Sequence, residues 1–248
     1  MKEFLRGLFV KAPKTRIWEL DAFRGLCIVC MVFIHVIFDM RTFFGFRFDL
    51  PVWFELLQKY GGILFIILSG ICITLGHHNV IRGLIVAAAA VVVTAVTLIM
   101  GNKDLYIFFG ILHLLSFCML TYSIYRKLPW PAILAIGISL IALGYWFSTL
   151  TVEPPCLFVL GLRTKRFAAG DYFPILPHAG WFMTGVVLGK TVYKKKETLF
   201  KKADPNFFLI RFFSFCGRHS LLIYLLHQPV AMGLFYSFDF VRSLFTKQ

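Results

Sequence analysis

The stretch LDAFRGLCIVCMVFIHVIFDM, residues 20–40, decides the fold. It is apolar over about 20 residues, the length a helix needs to cross a hydrocarbon core of about 30 Å, yet it carries Asp21, Arg24, His35 and Asp39. Each such group costs about 2.5–3.5 kcal/mol in the middle of a membrane helix, so each requires a partner, a wet cavity or a task. Asp21 and Arg24 are three apart and can pair on one helix face. Arg24 and His35 are eleven apart. Eleven steps of about 100° return to within about 20° of the starting direction, with a rise of about 16 Å. His35 and Asp39 are four apart, a spacing at which the carboxylate can reach an imidazole nitrogen and set its tautomer. The stripe reads as an anion-binding arginine, an apolar gap at Ile28 and Val32, a histidine and a carboxylate. That order suits a long ligand. The alternative is an Arg24 that snorkels to the interface and a His35 that makes one interhelical hydrogen bond. For Arg24 alone the two readings weigh equally; for the four residues together the functional one leads, because chance seldom aligns them on one spanning helix.

The rest of the 248-residue chain matches this span, with 59% hydrophobic and 15% charged residues and a mean hydropathy of +0.78. A soluble domain carries about 25% charged residues, so a water-soluble fold is excluded; disorder, which needs low hydrophobicity, is excluded too. Apolar windows at 21–40, 60–76, 81–100, 105–124, 131–149, 172–192 and 219–238 predict an all-α polytopic transmembrane bundle of about seven spans in a single domain, 1–248. FFLIRFFSFC at 207–216 is too short to cross and has Arg211 at its centre, which predicts an interfacial amphipathic helix. Residues 151–170, with Pro154, Pro155 and the basic run Arg163, Lys165 and Arg166, predict a surface loop.

The net charge of +14 lies mostly in loops between apolar runs, where it sets orientation and does not indicate nucleic acid. With the N-terminus inside, sixteen Lys/Arg fall on the inner side and nine on the outer, so a cytoplasmic N-terminus is expected. The opening MKEFLRGLFVKAPKTR lacks the apolar core of a cleaved signal peptide. KKKETLFKK at 194–202 reads as a positive-inside anchor, with a site for anionic lipid or another anionic ligand as the rarer alternative. Cys27 and Cys30 have CxxC spacing, but no second pair accompanies them, and no metal is expected.

Other spans add polar groups. His113 lies in the fourth. His227 and Gln228 lie in the seventh, just before Pro229, which weakens the backbone ladder beside them. In the sixth, DYFPILPHAGW breaks the helix around Asp171 and His178. Singly, each histidine is more often an interhelical donor than a catalyst; four in one bundle are harder to dismiss. His77 and His78, in the inner turn GHHN, read as solvated. Gly61, Gly62, Gly70, Gly185 and Gly189 read as small residues that let helices approach.

Four blocks carry a family resemblance: ELDAFRGLCIVCMVFIHVIFD at 19–39, FGILHLLSFC at 109–118, DYFPILPHAGWFMTGVVLG at 171–189 and GRHSLLIYLLHQP at 217–229. Together they resemble the heparan-alpha-glucosaminide N-acetyltransferase catalytic-domain family, within the transmembrane acyltransferases that include the bacterial acyltransferase-three proteins. The lysosomal members are longer and have asparagine where this chain has His35. The resemblance implies transfer of an acetyl or other acyl group from acyl-CoA to a hydroxyl or amine, often on a sugar or glycan, across or within the bilayer. It also implies acyl-CoA recognition at Arg24 and chemistry at His35.

The residues fit that chemistry. A thioester needs positioning, an acceptor that loses a proton, and a stabilised oxyanion. His35 with Asp39 is the expected base. His113, His178 and His227 complete the expected catalytic set, with His113 or His227 donating to the oxyanion or leaving thiolate. Arg24 paired with Asp21, together with Arg218 and Lys190, is expected to hold the CoA phosphates. No Walker motif or GxSxG elbow appears. A rival reading is a small proton-coupled transporter using the buried histidines with Asp39 and Asp171 as a relay, though no two similar halves are visible. A third is a non-catalytic scaffold, which would leave the histidines without a purpose. The expected location is the bacterial cytoplasmic membrane, and a homodimer is one possible assembly.

Overall fold

The computed structural model describes residues 16–42, 44–46, 49–101, 106–152, 155–164 and 171–246. Among these the chain runs through helices α1 (Trp18–Thr42), α2 (Val52–Leu75), α3 (Asn79–Ile99), α4 (Ile111–Tyr125) and α5 (Trp130–Phe147). It continues through a short strand β1 (Thr151–Val152), a 3-10 turn (Pro155–Leu160) and β2 (Arg163–Thr164), then α6 (Ile175–Thr191), α7 (Phe208–Arg218) and α8 (Ser220–Thr246). The fold is all-α, and the protein is an integral membrane protein. Helices α1, α2, α3, α5 and α8 are long and apolar enough to cross a bilayer; α4 is a shorter apolar helix of 15 residues. Large apolar side chains project outward, with Ile99 85% and Ile124 82% exposed, as a lipid-facing surface requires.

Two expectations are adjusted. The window expected at 105–124 becomes helical only at Ile111, because Asp171 and His113 cap the chain there. Residues 151–170 are not only loop: β1 and β2 pair in parallel, Thr151 with Arg163 and Val152 with Thr164. The cations Lys165 and Arg166 and the opening 1–15 lie outside the described residues. The expected break near His178 is present at Leu176, whose φ −102° and ψ 130° are non-helical, because a residue before proline is pushed out of the α region.

The described residues fall into two compact units, those within 16–61 and 199–246, and those within 62–198. In the first, α7 lies on α1 so closely that their backbones touch. A Cβ on Gly25 would strike the carbonyl of Phe213, and one on Gly217 would strike that of Asp21; only glycine permits this approach. Ile28, Phe215 and Cys216 form the apolar core of the contact. Glu19, 1% exposed, accepts the Leu199 N–H at 2.7 Å and ties the following chain to the start of α1. The helix expected at 207–216 is therefore amphipathic, as read, with its buried face on α1.

In the second unit α5 packs along α6, and α3 along α4. Gly70 of α2 and Gly185 of α6 meet backbone to backbone. The N-terminus of α4 is fastened from three sides. Asp171 accepts the Ile111 N–H at 3.1 Å, Phe109 pairs with Tyr172, and the Phe173 N–H donates to the Phe109 carbonyl at 3.1 Å.

Candidate functional site

In the first unit, α1 supplies the stripe read from the sequence. Arg24 Nη2 donates to Asp21 Oδ1 at 2.5 Å, the i,i+3 pair expected, and Arg16 lies 3.8 Å from the other carboxylate oxygen. Arg24 Nε is buried without a hydrogen-bond partner among the described residues. Arg24 directly precedes Gly25, and Arg218 directly follows Gly217. Both arginines therefore flank the point where α1 and α7 touch.

One helical stretch further on, α8 meets α1. The rings of His35 and His227 stand edge to face, centroids 4.9 Å apart and planes at 81°. His35 Nδ1 is 2.9 Å from the Met31 carbonyl, and His227 Nδ1 is 2.6 Å from the Tyr224 carbonyl. A carbonyl only accepts, so in each ring Nδ1 carries the proton and Nε2 presents a lone pair. His227 Nε2 is buried and unpartnered among the described residues; His35 Nε2 makes no hydrogen bond among them either.

Asp39 does not do what its spacing predicts. It makes no hydrogen bond to His35. Instead the Gln228 amide donates from Nε2 to Oδ1 at 3.0 Å and to Oδ2 at 2.9 Å. The reason is directional: helical side chains lean toward the N-terminus, which brings the His35 ring to the Met31 carbonyl one turn back, while the amide of α8 offers its hydrogens to the carboxylate. Asp39 is 1% exposed, and Gln228 Oε1 is buried without a partner among the described residues.

The expected residues of the second unit serve its packing more than an open site. His113 Nδ1 accepts the Gly110 N–H at 3.3 Å, and Nε2 lies 3.3 Å from Thr94 Oγ1, whose own proton goes to the Ile107 carbonyl at 2.7 Å. Both ring nitrogens are engaged, leaving none for the expected oxyanion. Lys190 Nζ donates to the carbonyls of Arg126 at 2.7 Å and Leu128 at 2.8 Å. Lys190, expected at the donor phosphates, caps the chain leaving α4, where carbonyls lack helical partners. His178 resembles the first unit's histidines, with Nδ1 2.9 Å from the Pro174 carbonyl. One turn away, Trp181 Nε1 is buried and unpartnered among the described residues.

His77 and His78 are exposed as expected, at a cleft of about 550 Å³ also lined by Tyr122, Ser123 and Arg126. Among the described residues no three His, Cys, Asp or Glu side chains converge to hold a metal ion. Gln228 is the site residue that sequence reasoning left without a role; its place beside His227, before Pro229, was the available signal.

The sequence profile described as "Heparan-alpha-glucosaminide N-acetyltransferase, catalytic" matches residues 16–229. No curated protein matches the chain, and no solved structure does.

Proposed function

Because the chain belongs to the heparan-alpha-glucosaminide N-acetyltransferase catalytic family and is a membrane acyltransferase, we propose that it moves an acetyl or other acyl group from acyl-CoA to a hydroxyl or amine of a sugar or glycan. The observation that carries this reading is the pair of rings 4.9 Å apart, each with Nδ1 satisfied by its own helix. The two rings then offer an Nε2 lone pair each, that of His227 buried without a partner among the described residues, and such a pair calls for an occupant that brings protons. An acyl acceptor does so.

In the proposed step His35 Nε2 takes the proton as the acceptor oxygen or nitrogen attacks the thioester carbonyl. The new C–O or C–N bond forms, the C–S bond breaks, and the His35 imidazolium returns its proton to the departing thiolate. Met31 keeps the other nitrogen protonated throughout. Arg24 and Arg218, flanking the α1–α7 contact, hold the phosphates of the donor, and the pantetheine arm runs along the stripe to His35. Seven spans with a cytoplasmic N-terminus, in a bacterial cytoplasmic membrane, would put the phosphates inside. Labelling of residues 194–202 by an external impermeant thiol reagent, after cysteine substitution, would overturn that topology.

The decisive experiment incubates purified protein with radiolabelled acetyl-CoA and an amino sugar. Label transfer with release of CoA is expected. Ion-driven uptake into liposomes without transfer would favour a transporter. Label fixed on the protein and lost with His35→Ala would indicate that His35 itself carries the acyl group.

A further inference from the structure

The amide of Gln228 has two ends, and the structure uses one. Its Nε2 donates to both oxygens of Asp39, so the NH2 faces the carboxyl group. The carbonyl Oε1 is consequently turned away from Asp39. It is buried and has no hydrogen-bond partner among the described residues, and neither has Nε2 of the neighbouring His227. Two helices thus contribute a quartet. His35 and Asp39 lie one turn apart on α1, and opposite them on α8 are His227, ring to ring with His35, and Gln228, bonded to Asp39. Every open position in the quartet is an acceptor.

A buried acceptor left unsatisfied is unfavourable, and a site whose open polar atoms all share one polarity is matched by a ligand of the opposite polarity. We infer that Gln228 is a specificity-determining contact, and that its Oε1 takes a second N–H or O–H of the acyl acceptor, beside the one deprotonated at the histidine pair. This rests on the acyltransferase reading and narrows it. The acceptor is a molecule with two neighbouring donors, such as a vicinal amino alcohol or diol, and a simple amine is a poor substitute. Asp39 is then a positioning residue, acting only through the orientation it imposes on the Gln228 amide.

The test exploits the fact that an amide can turn over. In Asp39→Asn, the carboxamide introduced on α1 can donate to Gln228 Oε1, and the Gln228 NH2 then faces the acceptor in place of the carbonyl. In the double variant Asp39→Asn/Gln228→Glu, the α1 carboxamide donates to one oxygen of the carboxylate introduced on α8, and the other oxygen again presents an acceptor. Binding of glucosamine and of cyclohexylamine, which has the amine but no neighbouring hydroxyl, is measured by calorimetry on the full-length protein in detergent. Transfer from acetyl-CoA to each is measured in parallel. The wild type is expected to prefer glucosamine. Asp39→Asn is expected to weaken glucosamine binding and raise its KM by roughly tenfold, the worth of one buried hydrogen bond, with kcat and cyclohexylamine binding little changed. The double variant is expected to regain the preference.

Equal binding of the two amines by the wild type, or an undiminished preference in Asp39→Asn, would overturn the inference. So would failure of the folded double variant to recover, since a merely structural pair would weaken both amines alike. If the single variant does not fold, the double variant decides alone: a kept preference supports the contact and a lost one overturns it. A binding preference without transfer to either amine would sink the acyltransferase reading and leave the contact standing.

Discussion

His35 and His113 are the same residue type in two apolar helices, and the two units use them in opposite ways. In the first unit His35 makes one hydrogen bond to its own helix, through Nδ1, and its ring stands edge to face with a second histidine. In the second, His113 uses both nitrogens to fasten the start of α4, one on the Gly110 N–H and the other on Thr94. The difference comes from position along the helix. A mid-helix histidine finds its i−4 carbonyl within reach and little else, whereas a histidine in the first turn is surrounded by backbone N–H groups without helical partners. An ionisable group in a membrane helix therefore indicates a task, and the task can be structural.

The comparison is broken most directly by exchanging the consequences. His35→Ala is expected to lower turnover by about 10²- to 10⁴-fold, the usual contribution of a general base, with the detergent-extracted protein still folded and still binding CoA. A variant that kept more than a tenth of the rate would make His35 an interhelical donor, as structural as its counterpart. Arg24→Ala tests the other end of the same helix. Loss of about 1.5–3 kcal/mol of CoA affinity is expected from a charge-assisted contact, with only partial recovery in Arg24→Lys; calorimetry showing unchanged affinity in folded protein would favour snorkelling.

His113→Leu should act on stability, by about 1–3 kcal/mol, since it strands the Gly110 N–H. Turnover per folded molecule should stay within a few-fold of the wild type. A folded but inactive His113→Leu protein would erase the contrast between the units. The smallest effect is expected at Lys190→Met, about 0.3–1 kcal/mol of stability from the lost interaction with the end of α4, with CoA affinity unaltered. A weakened CoA affinity there would restore Lys190 to the donor site.

What could be read from the sequence follows the range of the interaction. The apolar helices, the Asp21–Arg24 pair and the break before Pro177 were legible, because each is set within one helix by length, by i,i+3 spacing or by proline geometry. The partner of Asp39 was not. Spacing offers His35 as a candidate, but the competitor, Gln228, arrives from a helix 189 residues away in the chain. The contacts of Lys190 were not legible for a related reason: its acceptors are the carbonyls of Arg126 and Leu128, and backbone atoms leave no mark in the sequence. Gly25 and Gly217 stood beside the two arginines, visible but uninformative until the helices that they join were known to touch.

That contact also has a mechanical consequence. Where two backbones meet with no side chain between them, there is no compliant layer, and α1 cannot roll about its own axis without separating from α7. Arg24 and His35 sit on one continuous helix pinned at that crossing, so they keep a constant offset. The helix therefore acts as a ruler, set at about 16 Å by the rise of eleven residues. With the donor held as proposed, a chain that reaches from one mark to the other can react, and a truncated thioester lacking the phosphates is expected to react poorly for want of anything to hold its near end.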